Sequence, residues 1–483
     1  MHEADLVAEA VGAWLGNPVS RRLLRWVSKR DKGESKLEKA LRKYSGEEID
    51  LNLQEAIAYR IVKFAIEKGS KSFGVSEDDR EKFVESLKLP IVRRGLTNIL
   101  EGIGYYGIQR PQTTAAPFLI VWDYTKACNL RCKHCYENAK PKPDLDELTT
   151  EEAKKALDEF ADAGVVAIAF SGGEPLARKD FFDVADYAAE KDFYVSLATN
   201  GTLITKDTAR KLKETGVQYV EVSLDGFEDT HDKFRGIPGA WERTVQGIKN
   251  CVEVDLDTCV ATTATHYNLK EIPKLMEFAE KELFANRFIV FNYVPTRRGK
   301  DIIKEDLSPQ EREELLDFLY SNLIDSNCRL DVFSTAPQYA VASTKYAEGP
   351  AIATHFTNKE AINLLRGRTK TLTEFIGGCG AGRLYCGVEP NGDVQPCVFI
   401  PIKIGNIREQ RLVDIWRNSP VLKEIRNREK FEGCGECEHK YICGGCRARA
   451  YGYFNDLKAP DPSCSYNQKY WDELAKAKTK LNK

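Results

Sequence analysis

Three cysteines in one short run, Cys128-Asn129-Leu130-Arg131-Cys132-Lys133-His134-Cys135, constrain this chain more than any other feature. Thiolates spaced C-x3-C-x2-C close around a single iron–sulfur cube and hold three of its four irons. An iron without a protein ligand is an open coordination site, which points to chemistry rather than wiring. A zinc site asks for a fourth Cys or His close by, and His134 lies inside the loop, where it can hardly fold back as that ligand. A disulfide framework fits poorly too, because a cluster of three cysteines cannot pair internally.

At 483 residues the chain has room for about two to four domains. Its 71 Lys and Arg nearly balance 73 Asp and Glu, so no global charge argues for a nucleic-acid partner. Glu3, Asp5 and Glu9 interrupt any signal-peptide pattern at the N-terminus, and no run reaches the roughly 18 apolar residues of a membrane span. A cytoplasmic protein is therefore expected, in which thiols stay reduced and clustered cysteines read as metal ligands. Only 2 Met accompany a high charge content, a pattern that hints at a hot or anaerobic habitat.

Residues 1–110 read as a helical extension without clustered cysteines. Val7, Val11, Trp14 and Leu15 repeat at helical spacing before Pro18, and Val19, Leu23, Trp26 and Val27 repeat it again beside a basic face of Arg21, Arg22, Arg25, Lys29 and Arg30. Further helices are expected around Leu53–Ala65 and Val92–Ile103. After a Gly-, Pro- and Thr-rich linker, strands are expected at Phe118–Asp123, Val165–Phe170, Phe193–Thr199, Tyr219–Leu224, Thr258–Thr263 and Phe288–Val294, alternating with amphipathic helices such as Thr150–Asp162. That alternation specifies an α/β fold with a parallel sheet. Six units are too few to close a barrel of eight, so residues 111–326 are expected to form an open, partial (β/α)6 barrel. Residues 327–378 read as a bridge, 379–465 as a loop-rich cysteine-ligated domain and 466–483 as a basic helical tail. Chemistry in such sheets sits beyond the carboxyl ends of the strands, where the three-cysteine loop falls.

The later strands end in matching signals. Ser171-Gly172-Gly173-Glu174-Pro175 follows the second, Thr199-Asn200-Gly201 ends the third and Ser223-Leu224-Asp225-Gly226 ends the fourth. Each alone is an ordinary turn, but together they place small polar groups and a carboxylate opposite the open cluster. Here the sequence resembles the radical S-adenosylmethionine superfamily, over roughly Phe118 to Ser326. The resemblance implies that the cofactor's methionine amine and carboxylate chelate the iron left open by Cys128, Cys132 and Cys135. It implies that Gly172, Gly173 and Glu174 engage the amine, that Ser196, Ser223 and Asp225 touch the ribose, and that Arg235 meets the carboxylate. An electron delivered to the cluster would then cleave a carbon–sulfur bond and yield a deoxyadenosyl radical, able to take hydrogen from an unactivated C–H bond. A reductant such as ferredoxin or flavodoxin is the implied partner.

Downstream, Cys379, Cys386 and Cys397 flank the hairpin signal Pro390-Asn391-Gly392. Cys434-x2-Cys437-x5-Cys443-x2-Cys446 and Cys464 bring the total to eight thiols, enough for two four-ligand clusters, with two zinc ribbons as the alternative. The pattern resembles the superfamily's SPASM extension, making three [4Fe–4S] clusters in all. By that resemblance Cys379, Cys386, Cys397 and Cys446 hold a nearer auxiliary cluster, and Cys434, Cys437, Cys443 and Cys464 a farther one. The final pair departs from the commoner x3 spacing. Cys251, Cys259 and Cys328 are expected to pack in the core.

The motifs stop short of the substrate. The basic stretch Val19–Lys32, with Trp14 and Trp26, suits a helix lying on the inner face of an anionic membrane or an ordinary helix packed on the barrel. The membrane reading makes a lipid hydrocarbon chain the expected substrate. The alternatives are tailoring of a haem- or porphyrin-type cofactor, maturation of a peptide, and, in another class, an iron–sulfur electron carrier. Thr296-Arg297-Arg298-Gly299 is a candidate holder of a phosphate or a propionate.

Overall fold

A computed structural model describes residues 12, 14–31, 33–72, 76–346 and 370–481. Val7, Val11 and Lys32, much of the expected bridge (347–369) and the last two residues of the tail lie outside them.

Ten strands form one open sheet: β1 (Leu119–Thr125), β2 (Ala167–Gly172), β3 (Tyr194–Thr199), β4 (Val217–Ser223), β5 (Asp257–Ala264), β6 (Arg287–Asn292), β7 (Asp331–Ser334), β8 (Tyr385–Val388), β9 (Asp393–Gln395) and β10 (Gly405–Asn406). Their spatial order is β10-β9-β8-β1-β2-β3-β4-β5-β6-β7. Neighbours are parallel from β8 through β7, and only the β8–β9–β10 meander is antiparallel. The six expected strands are all present as the centre of an open α/β sheet. Two edges go beyond the expectation. β7 continues the parallel series past Ser326, and β8 comes from the cysteine-rich region to pair with β1, Cys386 opposite Ile120.

The sheet is parallel because each strand is an apolar run returned by a helix on one face. Trp122 of β1 stacks on Phe170 of β2 and meets Phe160 edge-on. Phe160 belongs to the helix Thr150–Ala163, whose start is fixed by a capping box between Thr149 and Glu152. The N-terminal helices α1 (Pro18–Val27), α2 (Lys36–Tyr44), α3 (Leu53–Ser72), α4 (Glu77–Ser86) and α5 (Pro90–Tyr106) have a separate small core around Leu37, Leu41, Ala58 and Val62. Of the basic face of α1, Arg21 and Arg25 donate to Tyr105 O and Gly104 O at 2.8 and 2.9 Å, capping the carbonyl end of α5. Trp26 packs into that core, whereas Trp14 is exposed. No helix among the described residues is long and apolar enough to cross a membrane. Cys251, Cys259 and Cys328 are buried in the main core, as expected.

Candidate active site and auxiliary thiol sites

The cysteine loop leaves the carboxyl end of β1 and returns alongside it: Cys128 N donates to Lys140 O at 2.8 Å and Lys140 N to Lys126 O at 2.9 Å. Cys128, Cys132 and Cys135 pack together with Leu130 and Ala139. Backbone amides of Leu130 and Ala139 point at Cys128 Sγ and Cys135 Sγ, at 3.4 and 3.3 Å. Burial pushes the Cys128 thiol up to about 12, so its ionised form calls for a metal. His134 is no ligand to this set. Its ring stacks on Phe234 at 4.2 Å, and burial lowers its pKa to about 3, so it stays neutral.

The Gly-Gly-Glu turn lies against the chain entering this loop. Gly173 N donates to Thr125 O at 2.7 Å and Glu174 N to Ala127 O at 2.8 Å. Gly172 has φ +108°, and a Cβ there would lie 2.7 Å from Thr125 O, while one on Gly173 would collide with Ala127 O. Both glycines are thus needed for main-chain approach. Glu174 is fully buried and accepts from Thr199 Oγ1 and Asn200 N, each at 2.8 Å, and from Leu176 N at 3.2 Å. It ties the ends of β2 and β3. Asn200, in a motif that sequence singled out without assigning the residue, donates to Asn129 Oδ1 at 2.9 Å and points at Cys128 Sγ from 3.9 Å.

The remaining expected contacts divide. Ser196, within β3, donates to Ile168 O at 3.2 Å, and Ser223 ends β4, half-buried. Asp225 and Arg235 meet each other at 2.6 Å, both buried. Arg235 also donates to Cys132 Sγ at 3.6 Å, so its charge is directed at the cluster loop as well as at Asp225. Burial works against ionising Asp225, but Arg235 outweighs it and holds the carboxyl below the usual range.

Beside the loop lies a buried ionic group that patterning did not disclose. Lys126 pairs with Glu137 and Glu389 at 2.6 and 2.9 Å, and Arg297 pairs with Glu137 at 2.8 Å and also with Glu389. Asp123 completes the acids and accepts from Tyr136 Oη at 3.0 Å. Burial, with Glu137 and Glu389 adding repulsion, pushes Asp123 well above the usual carboxylate range. Arg298 donates to Ala139 O at 2.5 Å. The arginines of the Thr296–Gly299 loop are therefore engaged by the protein itself.

The downstream thiols fall into two neighbourhoods. Cys446 lies in electrostatic reach of Cys379 and Cys397, and Cys464 in reach of Cys434 and Cys437. Cys443 lies in reach of Cys464 and Cys434. Cys386 is buried in the main core, and burial pushes its thiol up. Tyr385 faces the first group, donating from Oη to Cys397 Sγ at 3.0 Å.

Three buried guanidinium groups surround these thiols with no carboxylate partner among the described residues: Arg383, Arg428 and Arg447. A buried cation without a counter-ion is costly. Anionic iron–sulfur clusters at these thiols would supply the missing charge, so the residues fit such groups.

The family model "Radical SAM superfamily" matches residues 122–279, and the SPASM model, "Iron-sulfur cluster-binding domain", matches residues 379–439. The chain is 40% identical to the AdoMet-dependent heme synthase of Methanosarcina barkeri, across 73% of this chain and 97% of that protein. It is 32% identical to the Fe-coproporphyrin III synthase of the same organism, across 72% and 87%. The crystal structure of Streptococcus suis SuiB bound to precursor peptide SuiA has the same fold, with a TM-score of 0.61 at 19% identity over 89% of this chain and 92% of that one.

Proposed function

The chain belongs to the radical S-adenosylmethionine superfamily and carries its SPASM extension, a family of [4Fe–4S] clusters and S-adenosylmethionine, and from this premise we propose that it modifies a porphyrin-type tetrapyrrole. The carrying observation is the 40% identity to a heme synthase over nearly that protein's whole length. The lipid reading yields to it, because Arg21 and Arg25 of the basic helix are engaged in capping α5. The likeness to a peptide-bound enzyme, at 19% identity, speaks for the fold alone.

On this reading Cys128, Cys132 and Cys135 hold the cluster that binds S-adenosylmethionine. Cys434, Cys437, Cys443 and Cys464 hold the farther auxiliary cluster. Cys379, Cys386, Cys397 and Cys446 would hold the nearer one. The reduced cluster and S-adenosylmethionine together supply a deoxyadenosyl radical for C–H cleavage. The chain's own work is positional. Gly172 and Gly173 let β2 close on the cluster loop, and Glu174 offers a buried carboxylate at the strand ends. Arg235, held by Asp225, donates to Cys132. Ser196 and Ser223 are left for polar contacts to the cofactor, which would rest among these strand ends.

The test is anaerobic turnover of the reconstituted, reduced protein with iron coproporphyrin III, a precursor peptide or lipid vesicles. Deoxyadenosine formation should rise above its substrate-free level with the tetrapyrrole alone, together with a tetrapyrrole product of changed mass. A rate indifferent to the tetrapyrrole would overturn the proposal. No deoxyadenosine under any condition would leave the electron-carrier reading.

A further inference from the structure

Arg428 stands where the two auxiliary thiol groups touch. Cys379 of the nearer group donates through its backbone N–H to the carbonyl of Cys443 of the farther group, at 3.1 Å. The guanidinium of Arg428 lies across that junction. Its Nη2 donates to Cys379 O at 2.9 Å, and its Nη1 to Lys440 O and Tyr441 O at 2.8 and 2.7 Å. On its other side runs Gly444, directly after Cys443. A Cβ at Gly444 would lie 2.6 Å from Arg428 Cζ, and the glycine's φ is +75°. Five per cent of Arg428 is exposed, and no carboxylate meets it among the described residues. A guanidinium stays protonated in proteins, so Arg428 is a fixed cation.

The other donors near these thiols are each confined to one group. Tyr385 reaches only Cys397, and Arg447 and Asn467 reach only Cys434, at 3.6 and 3.5 Å. Arg428 instead donates to Cys379 O of one group and packs against Gly444, the residue after Cys443 of the other.

We propose that Arg428 is a redox-tuning residue shared by the two auxiliary clusters. Reduction adds one negative charge to a cluster, and a fixed positive charge nearby favours the reduced form, more strongly in a low-dielectric interior. One cation serving both sites raises both potentials together. The inference rests on the reading that these thiols hold two clusters, and the experiment separates the two claims.

The background is the full chain with Cys128→Ala, Cys132→Ala and Cys135→Ala, reconstituted anaerobically. Iron content and the paramagnetic signals of its reduced form are followed through a potentiometric titration. Two distinct auxiliary signals are expected. A single signal would refute the two-cluster reading itself. With both present, Arg428→Gln should move both midpoints to lower potential, and Arg428→Lys, which keeps the charge but cannot span the three carbonyls, should move both less. Tyr385→Phe should lower only the nearer cluster's midpoint. If the glutamine protein loses iron, the lysine protein carries the test. Midpoints that stay at the parent values, or a shift confined to one signal in the Arg428 variants, would overturn the shared role.

Discussion

Asp123, Glu137 and Glu389 set three acids against the two cations of Lys126 and Arg297, so the group holds one carboxyl more than its bases can neutralise. Asp123 has no cation on it, and its burial beside Glu137 and Glu389 makes it the acid that keeps a proton, against the Tyr136 hydroxyl, which favours the charged form. A carboxyl raised in this way favours the folded state at low pH, and its contribution falls as pH rises from the unfolded carboxyl value of about 4 through the raised one. Asp123→Asn should therefore change stability by less than about 1 kcal/mol at neutral pH and flatten the decline of Tm toward alkaline pH. Arg297→Met should cost about 3–5 kcal/mol, because it strands buried Glu137 and Glu389 with one cation between them. Denaturant unfolding of the three proteins distinguishes these outcomes, and equal losses in both variants would contradict the proton assignment. None of this was legible in the sequence. Glu137 follows Cys135 by two residues, but Arg297 and Glu389 come from distant loops, and only the folded chain brings their charges together.

The helix Arg447–Phe454 joins the cysteine-rich region to the barrel. Its Arg449, fully buried, pairs with Asp306 at 2.7 Å and with Asp461 at 3.4 Å, and Asp461 in turn accepts from Cys446 N at 2.8 Å. Burial disfavours the charge on Asp306, but Arg449 and Arg312 outweigh it and hold the carboxyl below its usual range. Arg449→Met should lower stability by about 3–5 kcal/mol, because it leaves buried Asp461 without its cation and Asp306 with Arg312 alone, and adding Asp461→Asn should restore part of the loss. A double-mutant cycle in denaturant reads the coupling, and strict additivity would show that the pair is not the cause. At this scale the sequence disclosed what its periodicity carries. Six central strands stood out because each is an apolar run bounded by turn residues and followed by an amphipathic helix. β7 and β8 did not, since Asp331–Ser334 and Tyr385–Val388 are too short for a period-2 signal to accumulate.

Across the whole molecule, the N-terminal helices, the sheet and the cysteine-rich region are held by one buried strip of chain around residues 112–116. Asn98 of α5 donates to Ala116 O and Gly164 O at 3.2 and 2.9 Å, Trp416 donates to Thr114 O at 2.9 Å, and Arg383 donates to Gln112 O at 2.6 Å. Asn98→Ala leaves two buried carbonyls without that donor and should cost about 2–4 kcal/mol. Loss of helix by circular dichroism and loss of cluster absorbance should still coincide on heating. Separate transitions would mean that the N-terminal helices melt as an independent unit. The pairing of β8 with β1 has a further consequence, for how the protein is made. β1 is synthesised early, yet its second neighbour emerges only after more than half the chain has followed. Until then β1 presents an open parallel edge, the kind of surface on which strands from other nascent chains can pair. The cysteine-rich region thus closes the sheet as it arrives, and a ribosome that stalls before Tyr385 releases a chain with a bare edge beside its first three thiols.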